Sequence, residues 1–455
     1  MSLHRRALAV ALAVATASTL AALGPAAAAG EGWSPLRKAG GHALAVALDD
    51  GTTALVSVGG PDTATVFDQR RTASGDLGPR TEITTVDDAE QCRPVEAATA
   101  RGNVAVAVEC YATTGLEDPP TRLAELVWTG DDGWVWHVQP EGDLGSLDYS
   151  PQGQYAVFTS NSRYGRAHHV TSYHADLGWR DLRRRQLGGY GDDLVAAIGD
   201  DGDVVAVRGA GFEDEPGYWF GGRMRLETYD AATGTWTRRL DRRYPDGGID
   251  PMAVDLAEGR ITATVVRSRS TGQLDGLDEK VVLLSGEPGS TRSWSTPHWK
   301  RGVLTAPAAI TRAGVGVAAW QEVGHGRAVQ PWFATWPSER ERPRVWDLQG
   351  RTTLTTAATS GRTLDLAVGA AGHGAIAYVR HRRGAAHAEV AGASFRVDRR
   401  GRLHDLVETT WRRPVGSTVA VTAGATATAV TLGRVARTYY VPPRTRYSVL
   451  APAPR

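Results

Sequence analysis

The segment Leu147–Ser160 reads LDYSPQGQYAVFTS. Two short runs of strand-forming residues flank a Ser-Pro-Gln-Gly turn, and this pattern predicts a β-hairpin. The same pattern recurs along the whole chain, so the sequence predicts a repeat architecture.

Eight copies of the hairpin are found when the chain is aligned on the turn glycine. These glycines are Gly51, Gly102, Gly153, Gly202, Gly259, Gly314, Gly374 and Gly424. The steps between them are 51, 51, 49, 57, 55, 60 and 50 residues. A self-similar period made only of strands is typical of a β-propeller, in which each repeat is one four-stranded blade. We therefore predict an all-β fold, a single propeller of about eight four-stranded blades. The alternative is seven blades, with the short last repeat as a cap.

The two ends of the chain predict how the ring closes. WSPLRKAGG at Trp33–Gly41 resembles the fourth strands of other repeats, such as WSTPHWKRG at Trp294–Gly302. The last repeat has a hairpin and a third strand predicted around Thr438–Val441, but its tail RYSVLAPAPR makes a poor fourth strand. We therefore expect the N-terminal segment to complete the final blade, because closure removes exposed sheet edges.

Large aromatic residues recur on the outer strands of the repeats. The chain contains 14 Trp. Such side chains bury much apolar area, so we interpret most of them as packing between neighbouring blades.

Residues 1–29 have the pattern of a secretory signal peptide. His4-Arg5-Arg6 precedes an apolar run from Ala7 to Leu23, and four alanines precede Gly30. This predicts a cleaved signal and a propeller domain over residues 30–455. No cysteine follows the expected cleavage site and no later segment is long and apolar enough to span a bilayer, so we expect no membrane anchor and a secreted, extracellular protein.

The two cysteines fit an exported protein. Cys92 and Cys110 lie symmetrically about the turn at Ala100–Gly102, so they face each other across adjacent antiparallel strands. We predict a disulfide between them. Two free thiols or a catalytic pair is the alternative, although no basic residue is arranged to activate a thiolate.

The charge balance argues against a nucleic-acid partner. The chain has 51 basic and 50 acidic residues, a net charge of +1. A protein that binds nucleic acid through its phosphates usually carries a basic excess.

The two ends of the ring differ in their connections. The turns between first and second strands are tight, and they share one end, the tight-turn face, with the turns between third and fourth strands. The second-to-third loops and the links between blades share the other end, the long-loop face. Long loops are predicted at 112–121, 161–169, 209–222 and 268–279. Because loops on a rigid scaffold often carry function, the long-loop face is the candidate working face.

Aromatic and acidic residues concentrate on that face in the third to fifth repeats. The loop GAGFEDEPGYWFGG at Gly209–Gly222 places aromatic residues beside carboxylates, a combination that suits a sugar or a protein partner equally well. The alternative is that the loop buries its own aromatic side chains. The candidate ligand-binding residues are Tyr164, His168, Tyr190, Asp214, Tyr218, Trp219, Phe220 and Tyr244.

Signatures of metal binding and catalysis are missing from the sequence. His168 and His169 are adjacent on a predicted strand and point opposite ways, and no HxH, HExxH or CxxC spacing occurs. There is no GxSxG, SxxK or phosphate-binding loop. We expect no cofactor, no metal and no catalytic residue. A glycosidase-like carboxylate pair stays open, with Asp192, Asp214 and Asp246 as residues that could converge.

Three segments resemble known propeller families. SPQGQYAVFTSNSR at Ser150–Arg163 resembles the SPDGxxIAFxS motif of TolB-type repeats. GGRMRLETYDAATGTW, with Gly221-Gly222, Tyr229 and Trp236, resembles a kelch repeat. Asp230–Gly234 is similar to the DxxTG of quinone-dependent dehydrogenase propellers, but its tryptophan is misplaced and other blades lack the motif. In compartment, size and fold the chain also resembles secreted bacterial propeller lectins, including the lectin subunits of actinobacterial umbrella-shaped toxin particles.

These observations predict an exported, non-enzymatic binding module. Its expected partner is a cell-surface glycan or a secreted protein, bound through the long-loop face, and it is expected to serve as the targeting subunit of a larger complex. The alternative is a glycan-acting hydrolase or lyase with carboxylates at the mouth of the central channel.

Overall fold

Strands form because short runs of valine, alanine, leucine and threonine alternate with turns that contain glycine and aspartate. The computed structural model describes residues 33–450 with gaps at 41, 60–63, 73, 112–120, 131–132, 140–141, 162–166, 187–192, 216–217, 246, 271–276, 301, 324–327, 349–351, 354–362, 370, 381–386, 415–416, 425–427 and 435–444. Every regular element in the described part of the chain is a β-strand.

The first four blades each contain four consecutive antiparallel strands. Blade 1 contains β2 (Ala43–Ala47), β3 (Thr53–Val58), β4 (Thr65–Arg71) and β5 (Leu77–Thr85). Blade 2 contains β6 (Gln91–Ala100), β7 (Asn103–Tyr111), β8 (Thr121–Trp128) and β9 (Trp134–Gln139). Blade 3 contains β10 (Asp143–Tyr149), β11 (Tyr155–Asn161), β12 (Ala167–His174) and β13 (Gly178–Gln186). Blade 4 contains β14 (Asp193–Ile198), β15 (Val204–Glu215), β16 (Tyr218–Asp230) and β17 (Thr235–Tyr244).

The next three blades repeat this order, with one interruption. Blade 5 contains β18 (Ile249–Ala257), β19 (Arg260–Ser270), β20 (Leu277–Gly286) and β21 (Arg292–Ser295). In blade 6 the first strand is split into β22 (Gly302–Thr305) and β23 (Ala308–Ile310), followed by β24 (Gly316–Val323), β25 (Ala328–Trp336), β26 (Arg344–Asp347) and β27 (Thr352–Thr353). Blade 7 contains β28 (Leu364–Val368), β29 (His373–Arg380), β30 (His387–Val397) and β31 (Leu403–Pro414).

The eighth blade joins the two ends of the chain. It contains β32 (Ser417–Ala423), β33 (Thr428–Arg434), β34 (Thr445–Leu450) and, as its outermost strand, β1 (Arg37–Gly40). Arg37 pairs with Tyr447 and Lys38 with Arg446. The prediction that the N-terminal strand closes the ring is confirmed, and the blade number is eight.

The hydrophobic core lies between the blades. Buried apolar side chains form eight clusters, and each cluster joins two neighbouring blades. Ala45, Leu55 and Ala429, for example, join blade 1 to blade 8. The first strand of each blade also contacts the first strand of the next, from β2 through β32 and back to β2. The blades therefore form a closed ring with the first strands innermost.

A repeated aspartate links innermost strands across blade boundaries. Asp148 accepts a hydrogen bond from the Ile198 N–H of the next blade at 3.0 Å. Asp255 does the same for Ile310, and Asp365 does so for Val421, each at 2.7 Å. These bonds satisfy backbone groups that would otherwise be buried without a partner.

Tryptophans pack as structural residues. Trp320 is 1% exposed and lies between Trp294 and Trp332. The indole N–H of Trp134 donates to Asp68 of the preceding blade at 3.0 Å, and that of Trp236 donates to the Leu182 carbonyl at 3.1 Å. These indoles fix the outer strands of neighbouring blades.

The predicted disulfide is confirmed. Cys92 and Cys110 are directly paired residues of β6 and β7, with Cα atoms 4.0 Å apart, and their sulfurs are bonded.

Two details of the repeat alignment differ from the structure. In blade 7 the turn glycine with a positive φ is Gly372, whereas Gly374 lies within β29. The third strand of blade 8 is β34, in the tail that was predicted to be a poor strand, and the predicted strand at 438–441 lies outside the described residues. Within the described residues, no helix is long and apolar enough to span a membrane.

Candidate functional site

Several of the residues predicted to bind a ligand lie outside what the structure describes. Tyr164 and Tyr190 fall outside the described residues, and so do Asp192 and Asp246. The second-to-third loops at 112–120, 162–166 and 271–276 fall outside them as well.

The segment predicted to be a long loop in blade 4 is an extended hairpin. Residues 209–215 continue β15 and residues 218–222 belong to β16, with Glu213 paired to Trp219 and Glu215 to Tyr218. Asp214 and Phe220 therefore lie on strands, and only residues 216–217 fall outside the described chain. The reason is that β15 and β16 continue their backbone pairing through this segment, with register shifts after Gly211 and Glu213.

His168 is a buried residue of blade 3. It is 2% exposed, and its Nδ1 lies 2.8 Å from the Asn161 side-chain oxygen. At this position the imidazole presents little surface to a ligand, and its contact with Asn161 orients both side chains.

Tyr244 lies at the end of β17 and packs partly buried against the core between blades 4 and 5. The guanidinium of Arg267 lies 4.9 Å from the centre of its ring. A cation over an aromatic face at this distance is a favourable contact.

Two carboxyl groups meet where the innermost strands of blades 4 and 5 begin. Asp193 is the first residue of β14, and Asp250 is the second residue of β18. Their side chains share a hydrogen bond, which requires one of the two groups to hold the proton. Glu279, on β20, is close enough for its charge to act on Asp250.

Glycines make this approach of the two blades geometrically feasible. A Cβ on Gly209 of β15 would lie 2.2 Å from the Ile249 carbonyl oxygen, and one on Gly222 of β16 would lie 2.6 Å from that of Gly247. Only glycine allows backbones to come this close. The Gly247-Gly248 link therefore draws the start of β18 against blade 4 and places Asp250 beside Asp193.

The environment of Asp250 favours its neutral form. Burial, the charges of Asp193 and Glu279, and the hydrogen bond to Asp193 raise the pKa of Asp250 to about 7. Burial also raises the pKa of Glu279, and this is partly opposed by the Val303 N–H, which donates to its carboxylate at 2.5 Å. A proton held near neutral pH is what a general acid or base requires, and it also suits hydroxyl recognition.

A tryptophan surrounded by cations lies after the fourth strand of blade 5, on the same face. Trp299 is in the link after β21, on the long-loop face, and is partly exposed. Arg269 lies 4.4 Å, Lys280 4.6 Å and Arg267 5.4 Å from the centres of its indole rings. Asp278 pairs with Arg269 at 3.1 Å. The site thus combines aromatic rings, cations and carboxyl groups within blades 4 and 5.

A second polar group on the same face is internally satisfied. Arg93 pairs with Glu109 at 2.7 Å, and the Tyr111 hydroxyl donates to the same carboxylate oxygen at 2.7 Å. The Leu144 N–H donates to the other oxygen at 3.3 Å. Burial and the charge of Arg93 lower the pKa of His42 to about 4, so this imidazole is neutral at physiological pH.

The described part of the chain contains no cluster of metal-ligating side chains. No group of three or more His, Cys, Asp or Glu side chains there is arranged to hold an ion.

The sequence analysis missed Asp193, Asp250, Glu279 and Trp299. One signal for the carboxyl groups was present, because acidic residues recur at the start of the first strand in blades 3, 4 and 5, as Asp143, Asp193 and Asp250. Asp192 was considered instead of Asp193, one residue away. Nothing in the sequence indicated that blades 4 and 5 approach closely enough to join the two groups.

Comparison with known proteins gives likeness in fold only. No family model matches the chain, and no curated protein matches it in sequence. The Dos1 propeller is 10% identical, with 92% of this chain and 95% of that chain covered and a TM-score of 0.44. The lectin of Aleuria aurantia, solved with α-methyl-L-fucoside, is 13% identical over 67% of this chain and 93% of that chain, with a TM-score of 0.32.

A peptidase is also among the similar structures. Prolyl oligopeptidase B of Galerina marginata is 10% identical over 88% of this chain and 55% of that chain, with a TM-score of 0.45. At these identities and TM-scores the likenesses carry no argument about function. What is established for this chain is its fold, an eight-bladed β-propeller closed by its N-terminal strand.

Proposed function

We propose that this protein is an exported, non-enzymatic propeller that binds a glycan or a protein partner through its long-loop face. The observation that carries the proposal is the grouping of Trp299, Tyr244 and their cations with the Asp193–Asp250 carboxyl pair. Aromatic rings offer a stacking surface, and carboxyl groups accept hydrogen bonds from hydroxyls or pair with basic side chains.

Export is supported by two features of the chain. Residues 1–29 have the charged, apolar and small-residue regions of a signal peptide. The Cys92–Cys110 disulfide fits an oxidising compartment, since such bonds rarely persist in a reducing cytosol.

The proposal extends to a role as the targeting subunit of a secreted assembly. Its support is the resemblance of Ser150–Arg163 to TolB-type repeats, of Gly221–Trp236 to a kelch repeat, and of the whole architecture to propeller lectin subunits of toxin particles. A propeller with a rigid core and one elaborated face suits this role, because it can present a binding surface while other parts contact an assembly.

Two variants test whether the long-loop face binds the partner, and two assays measure the binding. The mature chain (residues 30–455) is applied to a glycan array, and the tagged chain is used to capture partners from the producer's culture medium. We expect Trp299→Ala and Asp250→Asn each to weaken the interaction at least about tenfold, the effect of losing one good contact. The matched control is Asp176→Asn, in an exposed turn of the tight-turn face. If both variants retain every interaction of the native chain, the face is misassigned.

The alternative function is a glycan-acting hydrolase or lyase, and the raised pKa of Asp250 is the observation that favours it. Asp250, hydrogen-bonded to Asp193, could donate or accept a proton near neutral pH. However, hydrogen-bonded carboxyl groups lie closer together than the separation of about 5 Å or more found in glycosidases. A polysaccharide screen for new reducing ends and for unsaturated products separates the two functions. Turnover that is lost in Asp250→Asn would establish the enzyme, whereas binding without turnover would exclude it.

A further inference from the structure

The tight-turn face carries opposite charges in its two halves. In the described turns of blades 1–4, Arg101 is the one basic residue at the turn tips. The acidic residues there are Asp49, Asp50, Asp76, Asp176, Asp200, Asp201, Asp203 and Asp230. In the described turns of blades 5–7 basic residues outnumber acidic ones. The basic residues are Arg260, Arg292, Arg312, Arg340, Arg342, Arg399, Arg400 and Arg402, and the acidic residues are Glu258, Glu287, Glu339, Glu341 and Asp398.

The acidic half is densest in blade 4. Asp200 accepts a hydrogen bond from the Gln152 N–H at 2.6 Å, and Asp203 accepts one from the Ala231 N–H at 2.8 Å. Among the described residues, no arginine or lysine pairs with Asp200, Asp201, Asp203 or Asp230. Burial and the charges of Asp201 and Asp230 raise the pKa of Asp203. The turn cluster is therefore negative without a compensating cation.

The basic half contains a cleft of about 730 Å³. It is formed by the first-to-second turns of blades 5, 6 and 7 and by the third-to-fourth turn of blade 7. Its charged lining residues are Arg260, Arg312, Arg396, Arg399, Glu258 and Asp398, and threonine, alanine, glycine and valine line the rest.

The carboxylates of the cleft are already engaged within the chain. Glu258 pairs with Arg312 at 2.9 Å. Asp398 accepts hydrogen bonds from the N–H groups of Arg400 and Arg402 and lies 3.0 Å from His404. These hydrogen bonds lower the pKa of Asp398 to about 2, so it remains ionised and bound in place.

Two guanidinium groups of the cleft are left without a carboxylate. In the described part of the chain, Arg260 and Arg399 form no ion pair. Arg260 lies across Gly314, and its Nε is buried without a hydrogen-bond partner. A guanidinium that has no carboxylate partner in its own chain can form a charge-assisted hydrogen bond with a carboxylate of another.

We propose that two copies of this chain associate face to face through their tight-turn faces, with the acidic turns of blade 4 of one copy against the arginine cleft of the other. A two-fold axis makes the contact self-complementary, because the acidic half of each copy meets the basic half of its partner. The net charge of +1 leaves little overall repulsion between the copies. This surface is opposite the long-loop face, so the inference does not depend on the proposed function.

Sedimentation of the mature chain at low ionic strength tests the association. We expect a dimer that dissociates when the ionic strength is raised to about 1 M, where the Debye length falls to about 3 Å. A chain that sediments as a monomer at low salt across the micromolar range would overturn the proposal.

Charge reversal tests which residues make the contact. Asp200→Lys with Asp201→Lys should weaken dimerisation at least about tenfold, and so should Arg260→Glu with Arg399→Glu. An equimolar mixture of the two variants should recover a heterodimer, since the reversed surfaces complement each other. Two monomeric variants that fail to associate on mixing would contradict the proposed pairing, and the mixing result holds even if each variant loses some stability.

A matched control separates this contact from general charge effects. Arg243→Glu with Arg412→Glu reverses the same number of charges on exposed residues at the long-loop end of blades 4 and 7. We expect this variant to dimerise as the native chain does. Equal loss in this control would show that the association depends on net charge rather than on the cleft.

Discussion

Asp250 brings together burial, a hydrogen-bonded carboxyl partner and a nearby glutamate. Because the folded-state pKa of Asp250, about 7, lies above its unfolded value of about 4, the folded state retains a proton that the unfolded chain releases between these values. Its contribution to stability is therefore full below about pH 4 and is lost as the pH rises through about 7.

Asp250→Asn should therefore flatten the pH dependence of stability. Each pKa unit corresponds to about 1.4 kcal/mol, so relative to the native chain the variant should gain a few kcal/mol between pH 4 and pH 8. The measurement is the free energy of unfolding in urea at both pH values. Parallel curves for Asp250→Asn and the native chain would contradict the linkage.

His42 has the opposite linkage. Burial and the charge of Arg93 lower its pKa to about 4, below the ordinary value of about 6.5. The unfolded chain binds the proton first, so the stability from neutral His42 is present above about pH 6.5 and is lost as the pH falls towards 4.

We expect His42→Gln to remove about 2–3 kcal/mol of this acid-side loss of stability, because glutamine does not titrate. His298→Gln, at an exposed position, is the control. Urea unfolding at pH 4 and pH 7 measures both variants, and an equal acid-side loss in all three proteins would refute the role of His42.

At the scale of the strands, the inner-strand aspartates connect neighbouring blades. Asp255 accepts the N–H of Leu256 at 2.7 Å with one oxygen and that of Ile310, in the next blade, at 2.7 Å with the other. Asp365 repeats this arrangement with Leu366 and Val421. The sequence pairs Asp255-Leu256 and Asp365-Leu366 therefore mark a contact that spans two blades.

Asp255→Ala should lower the free energy of unfolding by about 2–4 kcal/mol, since it leaves two buried N–H groups without an acceptor. Asp176→Ala, in an exposed turn, should change stability by less than about 0.5 kcal/mol. Urea unfolding monitored by tryptophan fluorescence compares the two. A loss below about 1 kcal/mol for Asp255→Ala would show that water or another group satisfies these N–H groups.

Sequence patterns predicted the strands correctly where the same pattern recurs in several blades, and less well in segments that occur in one blade alone. The turn glycines indicated the repeat because those of blades 1 to 6 share one local geometry, a φ between 68° and 84°. The segment Gly209–Gly222 was interpreted as a loop because its acidic and glycine residues favour turns. Pairing across β15 and β16 overrides that local preference, since each strand supplies the other's hydrogen-bond partners.

At the scale of the whole molecule, ring closure was predictable and the candidate site was not. Closure follows from the similarity of one end of the chain to the fourth strands of the repeats, which is visible in sequence. The pairing of Asp193 with Asp250 depends on how closely blade 4 approaches blade 5, and the contacts of Gly209 and Gly222 with the start of blade 5 set this approach. Such distances between repeats have no periodic signature in sequence.

The stability of the ring should depend on β1, because this strand is the outermost strand of blade 8. Ser34 accepts the Val449 N–H at its hydroxyl and donates its own N–H to the Val449 carbonyl, and Trp33 packs edge-on against Trp411 of blade 7.

Deleting residues 33–40 removes these contacts and leaves β34 as an unpaired edge, which favours aggregation. We expect the melting temperature to fall by at least about 5 °C, with light scattering at the transition. A synthetic peptide of residues 33–40, added to the deleted chain, should recover part of the loss, whereas a scrambled peptide should not. If the deleted chain melted within about 2 °C of the native chain, β1 would be a peripheral strand, and the eight inter-blade cores alone would hold the ring together.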